Sequence, residues 1–403
     1  MIMHALLVCL MWTGRFAKRV PESICGMATA AIAAAVAFPD HNRLSHCRAC
    51  VHGASSVAAN LENEDRFRVI DKDKVTIALV ADGHGSHQVS QFVCERLPEE
   101  IFQSLIVPGR TDPITGSVSS ALINSFARID EALRNTVYAP NSPIMCFEGS
   151  CAIAAIVDEK KICIANSGDS RAFLISKSAL KGEILLPDPT TSFTQDMPYG
   201  DPVPVGTAWV SELHTADSPL EQSRLRSLHP LEKDVVHCRQ KIVEIDSDGS
   251  VVSTKWGACY VKGRLQPTRA FGDFYLKDEK AVEICPPEFS DLIPNMNDIF
   301  TPPYIEAIPT VREIARERGS VLVIASDGLW DYVSPTLVTE TVALGFQSGR
   351  NCSEIADDLV DVALEIASEA TGGEISADEL REMQRGFERR NIHDDITVVV
   401  LAL

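Results

Sequence analysis

Four short runs of the sequence are apolar at almost every position. They cover residues 75–81, 162–165, 321–325 and 396–403. A strand has this pattern when both of its faces are buried, because successive side chains point to opposite faces of a sheet. The runs therefore predict β-strands that lie between other layers of the molecule.

Longer segments repeat their apolar residues every three or four positions, which is typical of helices. Helices are predicted over residues 88–105, 117–137, 335–346, 353–370 and 377–389. Strands and helices come in blocks without strict alternation. This order favours an α+β fold over a doubly wound parallel sheet.

Two irregular stretches interrupt these blocks. Residues 181–212 include a segment rich in Pro, Asp, Thr and Gly, which predicts a surface insertion or flap. Residues 286–309 are rich in proline. Composition does not break after residue 45, so residues 46–403 are predicted to form one domain.

The first 45 residues differ from the rest. An apolar run over residues 5–12 is too short to span a bilayer, and its basic residues Arg15, Lys18 and Arg19 follow it, unlike those of a secretory signal. An alanine-rich stretch with few acidic residues is compatible with an organellar transit peptide, and the equal alternative is a disordered extension or an upstream start with Met27 as the real one. The expected location is the mitochondrial matrix or the cytosol, without a transmembrane segment.

The net charge and the cysteine content argue against two classes of protein, those that bind nucleic acid and those held together by disulfides. The net charge of −19 argues against a nucleic-acid partner, because binding to a phosphate backbone needs a basic face. The 12 cysteines are scattered and several lie in apolar runs. This distribution is typical of buried thiols in a reducing compartment and not of a disulfide framework.

Acidic residues stand at the ends of the predicted strands. Asp82 and Asp327 each come just after an apolar run, and Asp394 comes just before the last one. In an antiparallel sheet the end of one strand lies beside the start of its neighbour, so these carboxylates are expected at one edge. By the same logic the pair Glu64 and Asp65, before a strand near residue 67, joins them.

Carboxylates placed so close together repel each other unless cations lie between them. Oxygen ligands without His or Cys favour Mg²⁺ or Mn²⁺ over zinc. Two such ions could activate a water molecule and hold phosphoryl oxygens, while a nearby imidazole protonates the leaving oxygen. Each motif alone is weak, because Asp-Gly pairs are ordinary turn residues.

Together the motifs resemble those of the metal-dependent type 2C protein serine/threonine phosphatases, over about residues 53–403. The matching segments, in the order of that family, are Asn63-Glu64-Asp65-Arg66, Ala81-Asp82-Gly83-His84-Gly85, Gly149-Ser150-Cys151-Ala152, Asn166-Ser167-Gly168-Asp169-Ser170-Arg171, Arg269-Ala270-Phe271-Gly272-Asp273, Ser326-Asp327-Gly328-Leu329-Trp330-Asp331 and His393-Asp394-Asp395-Ile396-Thr397. The resemblance implies a four-layer α/β/β/α sandwich of two antiparallel sheets flanked by helices. It also implies hydrolysis of phosphoserine and phosphothreonine in phosphoprotein substrates by a monomer.

The resemblance further implies two Mg²⁺ or Mn²⁺ ions, with a weaker third. Their implied ligands are Glu64, Asp65, Asp82, Gly83, Asp169, Asp327, Asp331 and Asp394. Asp82 would bridge two ions, and Asp169, Asp327 and Asp331 match the third site. His84 matches the general acid, and Asp82 and His84 are therefore the expected catalytic residues. Gly272 and Asp273 are expected to matter for structure near the flap.

Two positions depart from the family pattern. Asn60 stands where many members have an arginine that grips the substrate phosphate, and Cys151 replaces the threonine of a Gly-Ser-Thr motif. The pyruvate dehydrogenase phosphatase branch also lacks that arginine and shares other local features, so this branch is a candidate. Other segments resemble plant-type members.

Two alternative functions come from other classes. A catalytically inactive scaffold would be expected to have lost metal-binding carboxylates, yet all the matched ones are present. A metal-dependent nuclease is disfavoured by the acidic charge.

Overall fold

The computed structural model of the protein describes residues 50–105, 118–181, 203–245, 251–285 and 300–403. The predicted N-terminal extension therefore lies outside the described residues. So do residues 182–202 of the predicted flap and residues 286–299 of the proline-rich stretch.

The strands of the described residues form two antiparallel sheets and a separate hairpin. The strands are β1 (Val51–Val57), β2 (Arg66–Lys72), β3 (Val75–His84), β4 (Gly149–Val157), β5 (Lys161–Ser167), β6 (Arg171–Ile175), β7 (Thr207–Trp209), β8 (Val236–Ile245), β9 (Val251–Val261), β10 (Phe271–Gly272), β11 (Thr310–Ala315), β12 (Val321–Ala325) and β13 (Ile396–Ala402). Sheet A has the order β1-β13-β12-β6-β7, and sheet B has the order β11-β5-β4-β3-β2 with β10 also paired to β4. Strands β8 and β9 pair with each other.

The described residues form ten α-helices. They are α1 (Gln88–Leu105), α2 (Val118–Val137), α3 (Lys177–Lys181), α4 (Pro219–Leu228), α5 (Glu279–Ile284), α6 (Asp327–Trp330), α7 (Pro335–Gln347), α8 (Cys352–Ala370), α9 (Ala377–Glu382) and α10 (Phe387–Arg390). Within the described ranges, no helix is both long enough and apolar enough to cross a membrane.

The core is divided into three apolar layers by the two sheets. Along β12, Leu322 and Ile324 point into the layer between the sheets, whereas Val321, Val323 and Ala325 pack against α7 and α8 on the other face. The outer face of sheet B packs in the same way against α1 and α2. This arrangement confirms the predicted α+β sandwich with helices outside, and it explains why the strand sequences are apolar without alternation.

The strand register brings the acidic motifs to one end of the sandwich. In sheet A, Ile396 lies opposite Val57 and Ala325 lies opposite Arg171, so the residues just beyond these positions meet at one edge. In sheet B, Arg66 lies opposite Ala81, which places the preceding acidic pair beside the end of β3.

One predicted helix was wrong in its extent. The segment predicted as a helix over residues 377–389 forms α9 and α10, separated at Met383–Gly386. Gly386 has a φ of 127°, which a helix cannot contain, and its N–H donates to the Ala59 carbonyl at 2.9 Å. This hydrogen bond connects the segment between α9 and α10 to the residues that precede the first acidic motif.

One cysteine pair also departs from the expectation of free thiols. Cys238 and Cys259 lie directly opposite each other on β8 and β9 and form a disulfide. The free cysteines among the described residues are buried apart from the half-buried Cys285. Sequence spacing could not show this pairing, because the two strands were not predicted.

Leu322 tests the importance of the layer between the sheets. Its side chain is fully buried there, so Leu322→Ala should lower the free energy of unfolding by about 2–5 kcal/mol in urea titrations. The matched control is Leu231→Ala, because Leu231 is 77% exposed and the same change there should stay within about 0.5 kcal/mol. Equal effects at both positions would contradict the described packing.

Candidate active site

Three carboxylates from separate strand ends form the centre of the site. Asp82 lies near the end of β3, Asp169 lies in the turn between β5 and β6, and Asp327 is the first residue of α6 after β12. One carboxylate oxygen from each lies within 4.8 Å of the others. This distance lets a single cation contact all three residues.

Electrostatics within the cluster are unfavourable without a cation. Burial raises the pKa of Asp82 and of Asp327 well above the ordinary range, and the neighbouring carboxylates raise both further. A divalent cation favours the charged form of each group and so reverses these shifts. The all-oxygen donor set fits a hard cation such as Mg²⁺ or Mn²⁺.

Glu64 and Asp65 lie beside this cluster, as the sequence predicts. Burial, together with the charges of Asp395 and Asp394, raises the pKa of Glu64 to about 7. Burial and the charge of Asp395 likewise raise the pKa of Asp65 to about 7. The Asp65 carboxylate accepts a hydrogen bond from the Ser326 hydroxyl at 2.7 Å, which connects the two sheets just behind the cluster.

Gly83 lies where the backbone of the first acidic motif comes close. A Cβ atom at this position would lie 2.4 Å from the carbonyl oxygen of Glu64, so a side chain would push the two acidic motifs apart. The absence of a side chain therefore keeps Glu64 next to the end of β3.

Asp331 lies one turn after Asp327 and is exposed. Its N–H donates to the carbonyl of Asp327, and its charge raises the pKa of the Asp327 carboxyl. Asp331 is outside the group of three carboxylates that lie within 4.8 Å of one another. It therefore borders the cluster.

Asp394 joins the site from the start of β13, and its orientation is fixed by neighbours. Its Oδ1 accepts from the N–H of Asp395 at 2.7 Å, and its Oδ2 accepts from Nη2 of Arg390 at 2.5 Å. Burial raises the pKa of Asp394 to about 6 even though Arg390 acts in the opposite direction.

Asp395 has a role that the sequence pattern did not predict. Its Oδ1 accepts from the N–H groups of Ala59 and Asn60 at 2.6 and 3.0 Å, and its Oδ2 accepts from the N–H of Glu64 at 2.6 Å. The Asn60 amide also donates to Asp395, and to Glu64 at 3.3 Å. A buried carboxylate thus holds the whole loop of the first acidic motif, and only the doubled Asp in the motif hints at it.

A second network holds the backbone before β13. The buried His393 accepts at Nε2 from Nε of Arg389 at 3.0 Å, so its Nδ1 carries the proton and donates to the carbonyl of Asp394 at 2.6 Å. Burial lowers the pKa of His393 to about 4, which keeps the ring neutral and preserves this tautomer at neutral pH.

His84 is paired with Asp273 across the sequence. Its Nε2 donates to Oδ2 of Asp273 at 2.7 Å, and the Asp273 carboxylate is completely buried. Burial lowers the pKa of His84, but the charge and hydrogen bond of Asp273 outweigh that effect and raise it overall. The sequence predicts a structural role for Asp273 near the flap, and its contact with the general-acid candidate was not foreseen.

The His84–Asp273 pair depends on unusual local backbone. Asp273 has a φ of 50°, in the left-handed region that non-glycine residues seldom adopt. A Cβ atom on Gly149 would lie 1.9 Å from Oδ2 of Asp273 and 2.3 Å from Nε2 of His84. Gly149 in the third matched motif therefore leaves the space in which the pair forms.

Cys151, which replaces the threonine of the family motif, lies opposite Asp82 across β3 and β4. Its buried thiol makes a hydrogen bond to the Asp169 carboxylate, which lowers the pKa of Asp169 against the larger effect of burial. The cysteine thus keeps a donor next to the cluster.

Comparisons with known proteins agree with this geometry. The family model described as protein phosphatase 2C matches residues 39–372. "Probable protein phosphatase 2C 29" of Oryza sativa subsp. japonica is 28% identical over 369 residues, which cover 88% of this chain and 81% of the relative. "Probable protein phosphatase 2C 67" of Arabidopsis thaliana is 29% identical over 334 residues, which cover 81% of this chain and 74% of the relative.

The fold is also similar to that of a solved structure. The crystal structure of serine-threonine phosphatase 2C from Toxoplasma gondii matches with a TM-score of 0.51 at 16% identity, covering 87% of this chain and 93% of that one. The rice and Arabidopsis relatives are both plant proteins, and the pyruvate dehydrogenase phosphatase branch stays a prediction. The family match covers most of the chain and the acidic residues of its motifs meet in one place, so the chain belongs to the protein phosphatase 2C family and is a protein serine/threonine phosphatase.

Proposed function

We propose that the protein hydrolyses phosphoserine and phosphothreonine with two divalent cations held by the acidic cluster. The observation that carries this proposal is the meeting of Asp82, Asp169 and Asp327 within 4.8 Å of one another. Half-buried carboxylates at this spacing repel one another and need cations to remain charged. When bound, Mg²⁺ or Mn²⁺ would polarise a water molecule for attack and offset the charge of the phosphoryl oxygens.

The residues that would hold the cations surround the cluster. Asp82 and the Gly83 carbonyl would contribute from β3, Asp327 and Asp394 from the edge of sheet A, and Glu64 and Asp65 directly or through water. Asp169 and Asp331, with Asp327, would form the weaker third site. In support, the charges of Asp65, Asp169 and Asp394 all raise the pKa of Asp82, so these groups share one region.

His84 would complete the reaction as general acid. As a new bond forms between the attacking oxygen and phosphorus, the bond from phosphorus to the serine oxygen breaks, and that oxygen needs a proton. Because Nε2 of His84 donates to Asp273, the proton to be transferred lies on Nδ1 of the imidazolium. Asp273 thereby fixes the orientation of the ring and stabilises its charged form.

The substrate within the class of phosphoproteins is a narrower proposal. The pyruvate dehydrogenase phosphatase branch is supported by Asn60 in place of the arginine and by the Asp394-Asp395-Ile396-Thr397 segment. The structure gives Asn60 an internal role, since its amide donates to Glu64 and Asp395.

Metal removal is the first test of the proposal. Protein treated with EDTA should lose hydrolysis of a phosphoserine peptide and regain it with added Mn²⁺ or Mg²⁺, because the carboxylates cannot organise the reaction without cations. Phosphate release measured across a Mn²⁺ titration checks this. Full turnover in the presence of EDTA would contradict the proposed mechanism.

Asp82→Asn and Asp327→Asn test the ligand assignment. Each should lower phosphopeptide turnover by about 10³-fold or more, as for loss of a main electrostatic stabiliser. Neither should lower the melting temperature of the metal-free protein, because each removes a charge from a repelling cluster. The gain in melting temperature on adding Mn²⁺ should shrink with the loss of a ligand.

The matched control for these variants is Asp357→Asn, since Asp357 is exposed on α8. It should keep the activity and the Mn²⁺-dependent gain in melting temperature. More than a tenth of the normal activity in Asp82→Asn or Asp327→Asn would show that the ligand assignment is wrong.

His84→Ala and Asp273→Asn test the general acid and its partner. Removing His84 should cost roughly 10²–10⁴-fold on phosphoserine but much less on an aryl phosphate, whose leaving oxygen needs no proton. Asp273→Asn should show the same difference between substrates with a loss of about 10- to 100-fold, the size expected when the partner that orients a functional histidine is removed.

The control for this comparison is His87→Ala, three residues along the chain. His87 is half-buried and pairs with Glu62 at 2.8 Å, so its loss should leave the rates on both substrates nearly unchanged. Equal losses on alkyl and aryl substrates in His84→Ala would indicate that His84 has a structural role.

A further inference from the structure

Arg390 places a guanidinium at the rim of the acidic cluster. Its Nη2 donates to Oδ2 of Asp394 at 2.5 Å, and the side chain is 28% exposed. Ion pairs between partly exposed side chains are common in proteins and usually contribute little to the free energy of unfolding. The surroundings of this pair distinguish it from such a contact.

The acidic residues that act on Arg390 lie in the proposed metal site or next to it. Burial lowers the pKa of Arg390, but the charges of Asp394, Asp327, Asp395 and Glu64 together outweigh it and raise the pKa. These residues come from three segments of the chain, before β2, after β12 and before β13. Because Arg390 contacts the carboxylate of Asp394, a proposed ligand, its guanidinium lies at the edge of the space that would hold the cations.

The backbone of Arg390 is held firmly in this place. Its neighbour Arg389 is 3% exposed and donates to His393 and to the carbonyls of Arg381 and Met383. At the start of α10, the N–H of Gly386 donates to the carbonyl of Ala59. Arg390 is thus tied both to the interior and to the loop of the first acidic motif.

A phosphate dianion that enters this site meets several carboxylates at once. A guanidinium has five N–H donors in a planar fork, so one edge can hold a carboxylate while another engages phosphate oxygens. Asn60 is a poor candidate for this contact, because its neutral amide already donates to Glu64 and Asp395. We infer that Arg390 binds the phosphoryl group of the substrate while it holds Asp394, an inference that rests on the proposed phosphatase function.

The competing explanation is that Arg390 only orients Asp394 for cation binding. The two roles differ in what is lost when the guanidinium is removed. A phosphate-binding residue weakens the phosphate complex of fully metal-loaded protein, whereas a residue that only orients a ligand weakens the metal complex. Removing a positive charge from the rim should by itself leave Mn²⁺ binding unchanged or tighter, because the cluster becomes more negative.

The test compares Arg390→Ala and Arg390→Lys with the control Arg385→Ala, which removes an exposed arginine from the segment between α9 and α10. Calorimetry would measure the binding of Mn²⁺ alone and then of inorganic phosphate to protein saturated with Mn²⁺. Kinetics would give the KM for a phosphoserine peptide and its inhibition by phosphate. Melting temperatures would establish that each variant is folded.

Arg390→Ala should weaken phosphate binding by about 10- to 100-fold, the range for loss of hydrogen bonds to a charged group, and raise the peptide KM. Arg390→Lys should recover part of this loss, because it keeps the charge but not the fork. Arg385→Ala should match the unmodified protein. Weaker phosphate binding at saturating Mn²⁺ supports the inference even if Mn²⁺ affinity also changes.

Unchanged phosphate affinity in Mn²⁺-saturated Arg390→Ala overturns the inference, whatever happens to Mn²⁺ affinity. The phosphate titration does not depend on catalysis. If unmodified protein binds Mn²⁺ and phosphate but does not hydrolyse the peptide, the proposed function fails, while the phosphate comparison still decides the role of Arg390.

Discussion

The mutual repulsion of half-buried carboxylates at one end of the two sheets is the constraint on which the rest of this structure depends. Asp82, Asp169 and Asp327 are brought within 4.8 Å of one another, and burial raises their pKa values. A flexible loop would relieve this repulsion by moving apart. Here each residue stands at the end of a strand or in a tight turn of a sheet whose faces are both packed, so the carboxylates cannot separate without disturbing the core. Cation binding is therefore coupled to the folded state, since the ion removes an unfavourable energy that the fold imposes.

The chain counters the same repulsion with hydrogen bonds from the side away from solvent. Asp395 accepts from the backbone N–H groups of the loop that contains Glu64, and Ser326 donates to Asp65. The neutral donor Ser326 stabilises the Asp65 carboxylate and still leaves lone pairs for a cation, because each carboxylate has about four lone-pair directions. Arg390 differs from these neutral donors because it is positively charged. It lies at the exposed rim of the cluster, where a dianionic phosphoryl group would arrive.

The parts of the site that the sequence could predict are those governed by local rules. An apolar run followed by Asp-Gly predicts a buried strand with a carboxylate at its end, as for Asp82 and Asp327. Asp394 comes just before the last apolar run, and antiparallel pairing places it at the same edge. The partners of these residues could not be found in the same way. Asp273 is 189 positions from His84, and Asp395 lies 335 positions from Asn60, so no periodicity or spacing connects them. The break between Met383 and Gly386 was also hidden, because apolar residues continue on both sides of it, whereas the backbone leaves the helical conformation at Met383 and has a positive φ at Gly386.

The position of β13 at the centre of sheet A makes the core and the site depend on residues that are far apart in the sequence. The family model ends at residue 372, yet β13, which begins at Ile396, lies between β1 and β12 and pairs with both. Without β13 the first strand would lose its partner, and Asp394 and Asp395 would be absent from the site. The same strand thus closes the sheet, contributes a proposed ligand and holds the loop before β2 through Asp395. Because one strand serves the core and the site together, loss of its packing would be expected to disperse the carboxylates even though each remains in the sequence.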